Sequence, residues 1–184
     1  MASPTAVKVP HPSAIPHNPD LPFLACQPTD VDFFTSAEVR NVYTVTLPIS
    51  PARLFEVFED PTSWPRWAPG IGKVIWTSPK PYGIGTTRTV VFWGGMEVYE
   101  VFVKWQPGRE MAFVLVGTTQ QVWHRFGEHY QVEDLGGGRC QLTWTVCYDP
   151  AGTFKQIHWL VGWLMKANLG TYMWWLKRYC RRLG

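Results

Sequence analysis

Three side chains capable of chemistry share one face of a single strand-like run. Between His124 and Glu133, residues His124, Phe126, Glu128, Tyr130 and Val132 alternate with Gly127, His129, Gln131 and Glu133. The second set is polar and belongs in water, so the first set should point inward. An inward carboxylate costs several kcal/mol unless a partner, a bound proton or a wet cavity compensates it. Two arrangements satisfy Glu128. It can form the polar end of an apolar cavity with His124 and Tyr130, where the three groups orient a ligand's oxygen atoms or move a proton. Or it can sit in a satisfied structural network, with Arg88 or Arg125 as its cation.

Other reactive signatures are weak. The cysteines at 26, 140, 147 and 180 contain no C-x-x-C pair, and the five histidines complete no zinc pattern, so no metal or cofactor is expected. Gly136-Gly137-Gly138 lacks the Lys and helix of a phosphate loop and reads as a hairpin turn. Ser, Cys and His show no triad spacing. The net charge of +3 is slight and scattered, which argues against a nucleic-acid partner. The N-terminal residues carry no basic start followed by an apolar run. A cytoplasmic protein with reduced thiols is therefore expected.

The elements that must hold these groups can be read along the chain. Residues 1–37 form a separate Pro-rich arm, with seven prolines in the first 28 positions. Leu21, Phe23, Leu24, Phe33 and Phe34 could anchor it as a strap. From residue 38 to 184 the pattern is that of one domain. Val39–Leu47 alternates like a strand. Ser50 and Pro51 then begin a short helix with Leu54, Phe55, Val57 and Phe58 on its apolar face. Pro61 ends it, and Trp64, Pro65, Trp67 and Pro69 form a second short turn. Strand-like segments follow at 73–78, 86–93, 97–105, 110–117, 124–133 and 139–148, joined by Gly and Pro turns. This implies an antiparallel meander. Within 97–105, Glu97, Tyr99, Val101, Val103 and Trp105 are read as the inward set, opposite Glu100 and Lys104.

Residues 153–182 read as one long helix. Phe154, Ile157, Val161, Leu164, Asn168, Tyr172, Trp175 and Tyr179 make its inner stripe. Trp159, Trp163 and Trp174 fall on the outer side with Lys166 and Lys177. Three exposed tryptophans would be unusual, so the arm, a second copy in a homodimer, or a membrane surface should cover them. Residues 157–176 hold one charge, Lys166, and a basic run follows. A mid-span Lys costs about 3 kcal/mol on insertion scales, which disfavours a membrane-spanning helix.

The run Ile49-Ser50-Pro51-Ala52-Arg53-Leu54-Phe55-Glu56-Val57, then Asp60-Pro61-Thr62-Ser63-Trp64-Pro65-Arg66-Trp67-Ala68-Pro69-Gly70-Ile71, resembles the SRPBCC superfamily. So do Gly83-Ile84-Gly85-Thr86, Trp105-Gln106-Pro107-Gly108-Arg109 and the long terminal helix, in that order. This is the helix-grip group that includes START domains, pollen-allergen-like proteins and polyketide cyclase/dehydrase-like proteins. The resemblance implies an α+β helix-grip fold. A curved antiparallel sheet of about six or seven strands would wrap a C-terminal helix, with two short helices between the first two strands. It also implies an internal cavity. Trp93, Tyr99, Phe126, Trp144, Val161, Leu164, Asn168, Tyr172 and Trp175 are expected to line it. The leading expectation is binding or transport of a hydrophobic small molecule or lipid. The rival is a polyketide cyclase or dehydratase, with Glu128 or His124 as acid or base and Tyr130 or Tyr99 stabilising an enolate oxygen. A third is a module that binds a partner or a membrane surface through its outer tryptophans.

Overall fold

The computed structural model describes residues 15–183. Residues 1–14 of the arm and the side chain of Val161, expected at the cavity, lie outside the described residues. The arm contributes β1 (Leu24–Ala25) and α1 (Phe33–Ser36). The domain continues with β2 (Val39–Leu47), α2 (Pro51–Glu59), α3 (Trp64–Trp67), β3 (Ile71–Trp76), β4 (Thr87–Phe92), β5 (Glu97–Gln106), β6 (Glu110–Thr118), β7 (Trp123–Gly136), β8 (Arg139–Pro150) and α4 (Gly152–Cys180). The main strands run β2-β8-β7-β6-β5-β4-β3, all antiparallel, as short turns between consecutive strands require. This is the expected helix-grip fold, with α2 and α3 between the first two main strands.

Local chemistry sets the helical pair that closes one end. The Ser50 side chain accepts a hydrogen bond from the Arg53 backbone N–H, and Pro51 occupies the first turn. Leu54, Phe55, Val57 and Phe58 are buried. The Trp64 and Trp67 rings pack 4.8 Å apart, and Trp64 Nε1 donates to the Phe58 carbonyl at 2.9 Å. Gly70 then takes φ +95°, which lets the chain reverse from α3 into β3.

The sheet buries both of its faces in the middle. Its concave face packs on α2, α3 and α4 to form the main core. Its convex face carries a second core in which Ile15, Phe33 and Phe34 cover Tyr99, Val101, Val103, Val114 and Val116. Pairing between β6 and β7 stops at Val114 and Gly127, and the arm bridges the gap beyond. Leu24 and Ala25 pair with Thr118 and Gly117, Cys26 N–H donates to the Val116 carbonyl, and Gln27 N–H donates to the His124 carbonyl.

This second core corrects the reading of β5. Bulges at Tyr99/Glu100 and Phe102/Lys104 break its register. Tyr99 lies on the arm side, stacked on Phe23 at 5.3 Å, with its hydroxyl donating to Glu97 at 3.1 Å. Val98, Glu100 and Phe102 face inward instead.

The helix α4 is also turned relative to its sequence reading. The side facing the domain carries Phe154, His158, Met165, Leu169, Tyr172, Met173, Leu176 and Cys180, while Ile157, Leu164, Asn168 and Trp175 face away and are exposed. The helix is tied to β2 by Tyr43, whose ring lies beside Gly170 and whose hydroxyl donates to the Lys166 carbonyl at 2.8 Å. Trp159, Trp163 and Trp174 are 81%, 65% and 56% exposed. The described part of the arm lies on the opposite side of the sheet, so it does not cover them. Among the described residues, no helix is long and apolar enough to cross a membrane.

Candidate ligand cavity

A cavity of about 120 Å³ lies between the concave face, α3 and α4. Most of its wall is apolar. Trp67, Ala68 and Ile71 close one end; Val90, Phe92, Val98, Phe113 and Leu115 form the floor; Met165, Leu169 and Tyr172 of α4 form the roof. The Tyr172 hydroxyl donates to the Pro69 carbonyl and ties this roof to the α3–β3 turn.

The polar end is built from five side chains, Glu128, Tyr130, Trp144, Arg88 and Glu100. Strand alternation puts Glu128 and Tyr130 on one face of β7, and the β7–β8 register sets Trp144 opposite Tyr130. Tyr130 Oη and Trp144 Nε1, the latter at 3.0 Å, both donate to Oε2 of Glu128. The carboxyl faces the cavity and is half-buried. Burial is the main cause that raises its pKa, to about 7, and the nearby Glu100 adds to the rise. The two donors and the Arg88 charge act in the opposite sense. Burial and the Glu128 charge hold the Tyr130 hydroxyl well above its ordinary range.

Arg88 and Glu100 face each other directly across β4 and β5 and form an ion pair through Nε and Oε2. Both are buried, at 1% and 4% exposure. Four rings surround the guanidinium, with Trp64 at 4.3 Å, Phe113 at 4.9 Å, Phe102 at 5.1 Å and Trp76 at 5.4 Å. Its Nη1 is buried with no hydrogen-bond partner among the described residues. Burial raises the Glu100 pKa, and Arg88 opposes that rise. One cation thus stands among two acids. Glu100 holds the ion pair, so Glu128, whose own hydrogen-bond partners are neutral, is the carboxyl that takes up a proton near neutrality.

Of the residues expected at the site, Phe126, Glu128, Tyr130, Trp144 and Tyr172 line the cavity. His124 does not. The bulge between Trp123 and Arg125 turns Trp123 inward in its place. Trp93 is 72% exposed on the β4–β5 turn, Tyr99 belongs to the outer core, and Leu164, Asn168 and Trp175 lie on the exposed side of α4. Sequence reading missed Arg88 and Glu100 as cavity residues, because buried charges in strands look like a solvated face. Their one signal was the need for a cation near Glu128, which had pointed to Arg88 or Arg125. Arg125 instead pairs with Asp149. A larger groove at Arg109, Glu110, Glu133 and Asp134 is open, polar and remote from these groups.

Residues 38–176 match the family described as polyketide cyclase / dehydrase and lipid transport. The chain belongs to this family. An uncharacterized protein of Mycobacterium tuberculosis is 39% identical over 154 residues, covering 84% of this chain and 92% of the relative, and a Mycobacterium bovis protein matches equally. Among solved structures, the Zhui aromatase/cyclase of Streptomyces sp. R1128 superposes with a TM-score of 0.63 at 15% identity, over 79% of this chain and 96% of its own. A START superfamily protein of Mycobacterium smegmatis gives 0.54 at 11% identity, over 74% and 98%. At such identities these likenesses speak for the fold alone. Family and fold together describe a ligand-binding SRPBCC domain.

Proposed function

We propose that this domain binds an apolar, ring-bearing small molecule with an oxygen atom directed at Glu128, Tyr130 and Arg88. The asymmetry of the cavity carries this reading. Its walls are aromatic and aliphatic, and its ionisable groups Glu128, Tyr130, Arg88 and Glu100 gather together. A ligand oxygen bonded to Glu128 or Tyr130 would be worth about 1–3 kcal/mol against a charged or buried partner. The volume limits the ligand. A cavity of about 150 Å³ holds one benzene ring, so a space of about 120 Å³ takes at most a single ring, and a larger ligand must displace part of the wall. The test compares 2-naphthol with naphthalene by displacement of a bound fluorescent dye. A hydrogen bond to this end favours 2-naphthol by about tenfold or more, and Glu128→Leu abolishes that preference. Equal affinities in the parent protein would remove the proposed polar anchor.

Glu128 favours a second reading. A cavity-facing carboxyl that titrates near 7 suits general acid–base chemistry. It would take a proton from a ligand carbon beside a carbonyl and return it to a departing hydroxyl, the net change being loss of water, as a dehydratase requires. Mass spectrometry of a molecule co-purified with the parent protein and with Glu128→Gln separates the two readings. Binding alone leaves the same molecule in both, whereas catalysis leaves substrate in the variant and its dehydrated product in the parent.

A further inference from the structure

We infer that the outer face of α4 docks on an anionic lipid surface. At 3.6 residues per turn, spacings of four and eleven residues return to nearly the same angle. Trp159, Trp163 and Trp174 therefore share an arc of about 60°. Leu160, Lys166, Lys177, Arg178 and Arg181 widen it to about 120°. The three rings and Leu160 (55% exposed) stand in solvent. Arg178 lies over the Trp174 ring at 5.7 Å, which leaves its charge outward. Residues 152–184 contain six Lys and Arg and no Asp or Glu.

This composition selects the partner. Tryptophan settles at the boundary between headgroups and hydrocarbon, and cations beside it gain from anionic headgroups. A second copy of the chain is a poor occupant. A two-fold contact along this face would oppose cations to cations with no acid on the helix to answer them. The helix is not apolar enough to cross the bilayer, so it lies in the plane of the surface. The opposite side of the same helix carries Met165, Leu169 and Tyr172 over the cavity. Docking would thus bring the roof of the cavity to the membrane, whichever ligand the cavity takes.

The test is co-sedimentation of the full chain with extruded vesicles of phosphatidylcholine alone or with 30 mol% phosphatidylglycerol. Partition into the anionic vesicles should be at least tenfold stronger and should weaken as salt rises. Trp159→Ser/Trp163→Ser/Trp174→Ser should lose it, with far-UV circular dichroism confirming the fold. As a check independent of the rings, Arg178→Gln/Arg181→Gln should weaken it about 30-fold, the effect of two surface cations. The inference is overturned if the parent protein stays in the supernatant, if both variants bind as it does, or if ultracentrifugation finds a dimer that the Trp variant dissolves.

Discussion

Replacing Glu128 by Gln tests the electrostatics of the cavity directly. The amide keeps an acceptor oxygen for Tyr130 and Trp144 and removes the titration. In the unfolded chain this carboxyl has its ordinary value of 4.5, and in the folded protein it holds its proton to about 7. Between these values the folded state binds more protons than the unfolded state. Stability therefore falls as pH rises through the window and levels off above it. The interval corresponds to about 3 kcal/mol at about 1.4 kcal/mol per pH unit, of which about 2–3 kcal/mol lies between pH 5 and pH 8. All other titrating groups are common to both proteins and cancel in the comparison. Urea denaturation of both proteins at pH 5 and pH 8 should show Glu128→Gln gaining about 2–3 kcal/mol on the parent, or about 5–10 °C by thermal melting at this chain length. Parallel pH profiles for the two proteins would refute the assignment of a high pKa to Glu128.

Two further perturbations probe the frame around the site. Arg88→Leu strands Glu100 as a buried, unpaired acid and should cost about 3–5 kcal/mol in chemical denaturation. Arg88→Leu/Glu100→Leu should recover most of that, and a double variant no better than the single one would contradict the pairing. Gly117→Val acts on the arm, because even a Cβ at Gly117 would lie 2.4–2.9 Å from the Phe23 ring. It should expel Phe23 from its stack on Tyr99 and speed proteolysis of the arm by about tenfold, the equivalent of losing that ring's burial. An unchanged cleavage rate would show that Phe23 does not hold the arm.

Legibility of the fold followed contrast between faces. The start of α2 was readable because Ser50 and Pro51 each have one strong local preference. The inward face of β7 was readable from Phe126 to Val132, since polar residues alternate with it, and was lost where the bulge exchanges His124 for Trp123. β5 had no contrast to read: the arm buries its convex side, so Tyr99, Val101 and Val103 are as covered as Val98 and Phe102. In α4 large apolar residues occur all round, and the side that packs is marked by hydrogen bonds from Tyr43 and Tyr172. Arg88 and Glu100 depend on pairing between strands, which no single strand's pattern records.

The double burial of β5 and β6 has a mechanical consequence. A strand clamped between two packed layers resists bending, so the floor of the cavity acts as a stiff anvil. The roof is held at fewer points: Trp159, Leu160, Trp163 and Leu164 stand in solvent along the first half of α4, which Phe154 and His158 hold against Tyr148, while its second half is fastened by Leu176, Cys180 and the Tyr172 hydroxyl. Room for a ligand larger than a single ring is then expected from displacement of α4, which contributes Met165, Leu169 and Tyr172, and not from the sheet. The range of ligands the domain accepts is then set by the compliance of this helix, and very little by the sheet.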